Sequence, residues 1–162
     1  MTTLHRIVPA AFAVLLLTAA ACRRSDSPAY VQFAGPEQTD DWDPFEELAY
    51  NVRLPEGTPS DAAFDLRLTV RHSDAYRSDR VRLIITQADE NRAYRPDTIT
   101  VMLSDKEGNW KGERNFSVYT CSILLREDFR PGPGTTFGIR PDSPEPLAGI
   151  SKIGLSLTSP SR

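Results

Sequence analysis

The chain has 162 residues, with 19 basic and 22 acidic side chains, a formal net charge of −3 and two cysteines. That length fits one domain. The mild acidity argues against a nucleic-acid binder, which needs a basic surface to neutralise phosphates.

The first 21 residues stand apart. Arg6 is their only formal charge, an apolar stretch runs from Ile7 to Leu17 broken by Pro9, and Thr18, Ala19, Ala20 and Ala21 precede Cys22. This is the order of a secretory signal peptide, and its apolar run is too short to span a bilayer. Small residues directly before a cysteine resemble a bacterial lipobox, with Ala19 where leucine is usual. The resemblance implies cleavage before Cys22 and lipid on its thiol. Each buried methylene contributes ~0.8 kcal/mol, so two or three acyl chains hold a protein on its membrane. Removing residues 1–21 takes away Arg6 and leaves 18 basic against 22 acidic residues, a net charge of −4. With Cys22 lipidated, Cys121 has no disulfide partner and is expected as a buried thiol.

Residues 22–45 read as a tether and lead-in segment. Six acidic residues and no basic one lie between Glu37 and Glu47. Asp40, Asp41 and Asp43 flank Trp42 but lack the glycine turn and terminal glutamate of a calcium loop, so a solvated loop is expected. Residues 46–162 read as one domain. Leu48, Tyr50, Val52 and Leu54 alternate with polar or small residues, as do Phe64, Leu66, Leu68 and Val70. The same period of 2 recurs at Val81, Leu83 and Ile85, at Ile99, Val101 and Leu103, along 116–125, at Phe137 and Ile139, and at Ile153, Leu155 and Leu157. Alternation of this kind makes half-buried strands. Residues 72–79 read as a connection that leaves His72 exposed on a turn. Asp105-Lys106-Glu107-Gly108 reads as a hairpin turn, and the prolines and glycines of 131–146 exclude a central strand there. The pattern predicts an all-β fold, a single antiparallel β-sandwich of seven to eight strands behind the signal peptide.

Chemistry is sparse. His72 is the one histidine after Cys22, and Ser73 and Asp74 beside it do not supply the geometry of a catalytic triad. One histidine and one free cysteine fall short of a zinc site. No phosphate-binding or dinucleotide motif appears, and no pair of carboxylates stands out. The expectation is a protein without catalytic residues, metal or cofactor. Residues 64–95 hold seven arginines against five acidic residues. Arg67, Arg71, Arg80 and Arg82 occupy the polar phases of two consecutive strands. If those strands pair, one outer face carries four guanidiniums suited to an acidic partner.

The order of several motifs resembles the gliding-motility lipoprotein GldH family of the Bacteroidetes-type envelope. The first is Leu66-Arg67-Leu68-Thr69-Val70-Arg71-His72, then Tyr76 and Val81-Arg82-Leu83-Ile84-Ile85. The second is Asp97-Thr98-Ile99 with Leu103, Asp105, Gly108, Trp110 and Gly112, and the third is the run from Leu147 to Leu155. Tyr30, Phe33 and Trp42 behind the lipobox match in layout. The resemblance implies an envelope lipoprotein, membrane-bound through Cys22, that works with other gliding or secretion proteins and brings no catalytic residue or cofactor. Residues 23–27, Arg-Arg-Ser-Asp-Ser, lack an acidic run resembling a surface-export signal, so a periplasm-facing location is expected, on either membrane. A glycan-binding lipoprotein is the alternative, with Trp42, Tyr76, Tyr94 and Trp110 as candidate platforms, and a hydrolase is a third reading.

Overall fold

A computed structural model describes residues 27–36, 41–90 and 92–160. The alternating runs become strands there: β1 (Tyr30–Ala34), β2 (Asp41–Trp42), β3 (Leu48–Asn51), β4 (Phe64–Ser73), β5 (Arg80–Asp89) and β6 (Arg92–Met102). They continue with β7 (Glu113–Asn115), β8 (Val118–Phe129), β9 (Thr136–Pro141), β10 (Leu147–Ala148) and β11 (Ile150–Thr158). Three of these strands are only two or three residues long, which leaves eight substantial ones. The all-β sandwich expected from the sequence is what forms.

One sheet has the order β1-β11-β4-β8-β7, the other β3-β9-β5-β6, and β2 pairs with β10 in a short ribbon. Every strand pairing is antiparallel. Alternation puts Leu66, Leu68, Val70 and Leu155 of the first sheet against Leu83, Ile139 and Tyr50 of the second, in one buried cluster. The Tyr50 hydroxyl donates to the Ile153 carbonyl at 2.9 Å and so ties the two sheets together. Burial, and then the nearby Tyr30, push that hydroxyl's pKa well above the ordinary phenol range.

Two local features carry the architecture. The turn at Asp105 forms as expected: its carboxylate accepts from the Glu107 and Asn109 amides at 3.0 and 2.8 Å, and Gly108 takes a φ of +87°. The Asn109 side-chain amide donates as well, at 3.0 Å, and leads these bonds in holding the Asp105 carboxyl below its usual range. Trp42 is fully buried beneath the β2–β10 ribbon and donates to the Glu46 carbonyl at 3.1 Å.

Three expectations need correction. A central strand does form within 131–146, because β9 occupies the stretch from beyond the prolines of 131–133 up to Pro141 and pairs with both β3 and β5. The stretch 22–45 is not only tether: Tyr30 to Ala34 add an edge strand to the larger sheet by pairing with Leu157 to Ile153. Its alternation was hidden because Val31 and Phe33, both apolar, lie on the outer face. His72 is not exposed on a turn. It is fully buried on the inner face, because β4 extends through Ser73 and His72 continues the phase of Leu66, Leu68 and Val70.

Candidate functional site

The four arginines do not share a face. β4 pairs with β11 and β8, whereas β5 pairs with β6 and β9, so consecutive strands lie in different sheets. The short turn from Ser73 to Tyr76, closed by the Tyr76 amide on the Ser73 carbonyl at 3.2 Å, begins the passage from one sheet to the other. Arg67 and Arg71 project from the outer face of the five-stranded sheet, and Arg80 and Arg82 from that of the four-stranded sheet.

The two pairs also differ in what surrounds them. Arg80 meets Asp79 in a two-pronged contact, both N···O distances being 2.8 Å, and Arg82 meets Asp142 at 2.6 Å. The Arg80 side-chain hydrogen bond holds the Asp79 carboxyl below its usual range. Neither Arg67 nor Arg71 has a carboxylate partner among the described residues. Arg71 instead lies over the ring of Phe33, its guanidinium carbon 4.3 Å from the ring centre. Its Nε is buried without a hydrogen-bond partner.

Strand register explains how that stack is built. Phe33 faces Gly154, Gly154 faces Thr69, and Thr69 faces Ser122. The ring crosses the glycine, where a β-carbon would collide with it. Only glycine lets the ring reach the neighbourhood of β4. In the next row Lys152 faces Arg71, and Arg71 faces Thr120. In the preceding row Val31, Ser156, Arg67 and Leu124 stand side by side. The result is a flat face with three cations (Arg67, Arg71 and Lys152), hydroxyls between them, and the exposed apolar side chains of Val31, Phe33 and Leu124. Glu113 sits at the far margin on β7, opposite Thr120. Asp65, at the start of β4, is buried.

The interior offers no reactive constellation among the described residues. His72 is packed by Trp110 (ring centres 4.6 Å apart), Tyr119 (5.3 Å) and Tyr76 (6.1 Å). Its Nδ1 lies 3.2 Å from the Ser73 carbonyl, and Nε2 is buried without a partner. Burial lowers its pKa against the smaller opposing effects of that carbonyl and Asp74. Cys121 is buried and unpaired, as expected, and burial pushes its thiol up. No group of three or more His, Cys, Asp or Glu side chains among the described residues could hold a metal ion. Asp41 and Asp43 are exposed, and Asp43 accepts from the Phe45 amide at 2.7 Å. Asp40 lies outside the described residues. Of the candidate glycan platforms, Trp42 and Tyr76 are buried and Trp110 is half-buried against His72. The Tyr94 side chain lies outside the described residues.

The family model of the GldH lipoprotein matches residues 35–157. The chain belongs to the GldH lipoprotein family. No curated protein and no solved structure matches it. The match begins just after β1 and ends one residue short of the end of β11, so in this GldH-family chain β2 to β11 fall within the family domain and β1 lies before it. Among the described residues no helix is long and apolar enough to cross a membrane. Cys22 lies outside both the match and the described residues. Phe33, Gly154 and Lys152 complete the cationic face; sequence offers them only as parts of the family-like motifs, and their convergence is not legible there, since the pairing joins segments about 120 residues apart.

Proposed function

We propose that this protein is a non-enzymatic, lipid-anchored envelope lipoprotein that serves a gliding-motility or secretion-associated protein assembly. The match to the GldH lipoprotein family carries the reading. Cys22 bears the lipid, and the signal peptide 1–21 is removed. The domain faces the periplasm. Arg67 and Arg71 provide the contact with an anionic surface, since no carboxylate among the described residues pairs with them, and Arg80 and Arg82 contribute little because Asp79 and Asp142 meet them.

Two measurements test this. Mass spectrometry of protein taken from membranes is expected to show an acylated N-terminal peptide starting at Cys22, lost in Cys22→Ser together with membrane attachment. Mild crosslinking followed by purification is expected to recover the same envelope proteins repeatedly. Acylation without any reproducible protein partner would sink the assembly role. The glycan-binding alternative is less well supported, because the burial of Trp42 and Tyr76 removes two of its four platforms.

A further inference from the structure

We propose that the outer face of the five-stranded sheet is the surface by which the anchored domain lies on the anionic lipid headgroups of its own membrane. The proposal rests on the lipoprotein reading above and names the anionic surface that Arg67 and Arg71 meet.

Four observations converge on that occupant. The face carries Arg67, Arg71 and Lys152, and neither of the two ion pairs found among the described residues, Arg80–Asp79 and Arg82–Asp142, lies on it. Anionic headgroups attract such a cluster at short range. Arg71 is held in place in advance: Phe33 supports its guanidinium at 4.3 Å, and the ring is itself seated over Gly154. A supported guanidinium gives up little freedom on meeting a phosphate. The apolar side chains on the same face are modest and dispersed, with Val31 52%, Phe33 37% and Leu124 36% exposed. That mixture of cations and scattered apolar groups suits the headgroup boundary, where each group finds its own depth.

The fourth observation is the place where the anchor enters. β1 is an edge strand of this sheet, and Ala29, just before it, donates its amide to the Leu157 carbonyl at 2.8 Å, so the chain is held to that edge from Ala29 onward. Cys22 lies eight residues before Tyr30. An extended chain of that length reaches at most about 28 Å, less than the roughly 36 Å breadth of a domain this size. The β1 edge therefore stays within reach of the bilayer, and the far edge strand β6 lies away from it. β3, the near edge of the other sheet, borders β1 where Gln32 donates to the Ala49 carbonyl at 3.0 Å, so the cationic chemistry selects which of the two faces turns to the lipid. Tethering raises the local concentration of headgroups at this face, so weak individual contacts suffice.

The test uses the acylated protein purified from membranes and reconstituted into phosphatidylcholine vesicles with or without phosphatidylglycerol. An environment-sensitive fluorophore is attached at Val31→Cys on the proposed face or at Thr100→Cys on the opposite face. Cys22 is acylated and Cys121 is buried, so neither competes for label. Spin-labelled lipid is expected to quench the probe at position 31 only when phosphatidylglycerol is present, and to leave the probe at position 100 bright. Arg67→Glu with Arg71→Glu is expected to cut that quenching roughly tenfold or more. Raising the salt concentration on the unmutated face is expected to do the same by screening, which keeps the test independent of how the double variant folds. Equal quenching with and without phosphatidylglycerol overturns lipid docking, even though the protein remains anchored. Crosslinks to a protein partner that vanish with Arg67→Glu and Arg71→Glu, without lipid quenching, overturn it in favour of an acidic protein. A chain that arrives from membranes unacylated overturns the anchor, and this proposal with it.

Discussion

The two outer faces of the sandwich are built from similar parts and end up with opposite character. Each has a glycine in an interior strand covered by a neighbouring side chain, and each receives two arginines from one of two consecutive strands. On the five-stranded sheet Gly154 lies beneath the Phe33 ring, and Arg71 rests on that ring. On the four-stranded sheet Gly138 lies beneath the Glu47 carboxylate, and Arg80 and Arg82 are met by Asp79 and Asp142. The counter-charges come from loop positions at the strand ends, Asp79 just before β5 and Asp142 just after β9. Similar strand chemistry thus yields a cationic face or a nearly neutral one, according to what the connecting segments supply.

The largest effect should come from filling the two glycines. In Gly154→Val the new side chain meets the flat Phe33 ring, which cannot yield without uncovering the sheet and releasing Arg71. Overpacking of this kind costs about 1–3 kcal/mol. In Gly138→Val the obstacle is the end of the flexible, exposed Glu47 chain and the Thr86 hydroxyl, whose bond to the Gly138 carbonyl is a long 3.2 Å. Urea unfolding should therefore show a clearly larger loss for Gly154→Val. Equal losses would mean that the Phe33 ring is no more fixed than the Glu47 chain, and the contrast between the faces would fail.

Acid reaches the interior before it reaches either face. His72 is fully buried and its pKa is lowered, so the unfolded chain takes up a proton at His72 before the folded one does. Stability is complete above the unfolded value of about 6.5 and falls as pH drops below it, by at most ~1.4 kcal/mol per pH unit. The groups facing this ring are Trp110, Tyr119, Tyr76 and the Ser73 carbonyl, with Asp74 the one nearby acid, so no close carboxylate compensates. Urea midpoints between pH 7 and 5 should fall for the natural chain and stay flat for His72→Phe. A flat profile in the natural chain would show that the imidazolium is accommodated where it lies.

How much of this was readable in the sequence depends on the distance over which each feature is decided. The period of 2 fixes which side chains point inward, and it located β4, β5, β8 and β11, the buried Cys121 and the hairpin at Asp105. Applied one step further, the same period would have placed His72 inside, but the neighbouring Ser73 and Asp74 suggested a turn. Which strands become neighbours is decided by the whole packing. β4 and β5 follow each other closely and still part into different sheets, which separates Arg67 and Arg71 from Arg80 and Arg82. Phe33 meets Arg71 only because β11, from the far end of the chain, inserts between β1 and β4. No local pattern contains that.

Phe33→Ala probes the support of the cationic face directly. It removes a ring that is about two-thirds covered and its contact with Arg71, for a loss of about 1–2 kcal/mol. Arg71 keeps its charge but loses its platform. Binding to an anionic surface should weaken more than the stability loss explains, and Phe33→Tyr should restore it. Restoration by Phe33→Leu as well would show that any apolar cover suffices and that the aromatic face plays no part.

The smallest effect on folding should come with the largest change in electrostatics. Asp79→Asn combined with Asp142→Asn removes both counter-charges of the four-stranded face while keeping the shapes of the side chains. Exposed ion pairs contribute little to stability, so the urea midpoint should hardly move. Arg80 and Arg82 would then be as free as Arg67 and Arg71. If loose positive charge is all that an anionic surface requires, a fluorophore at position 100 should now be quenched in phosphatidylglycerol vesicles. Among the described residues, however, this second face has no counterpart of the Phe33 stack. Quenching confined to position 31 in this variant would therefore mean that the supported arginine selects the face. Quenching at both positions would mean that the two aspartates alone keep the domain from lying down on its other side.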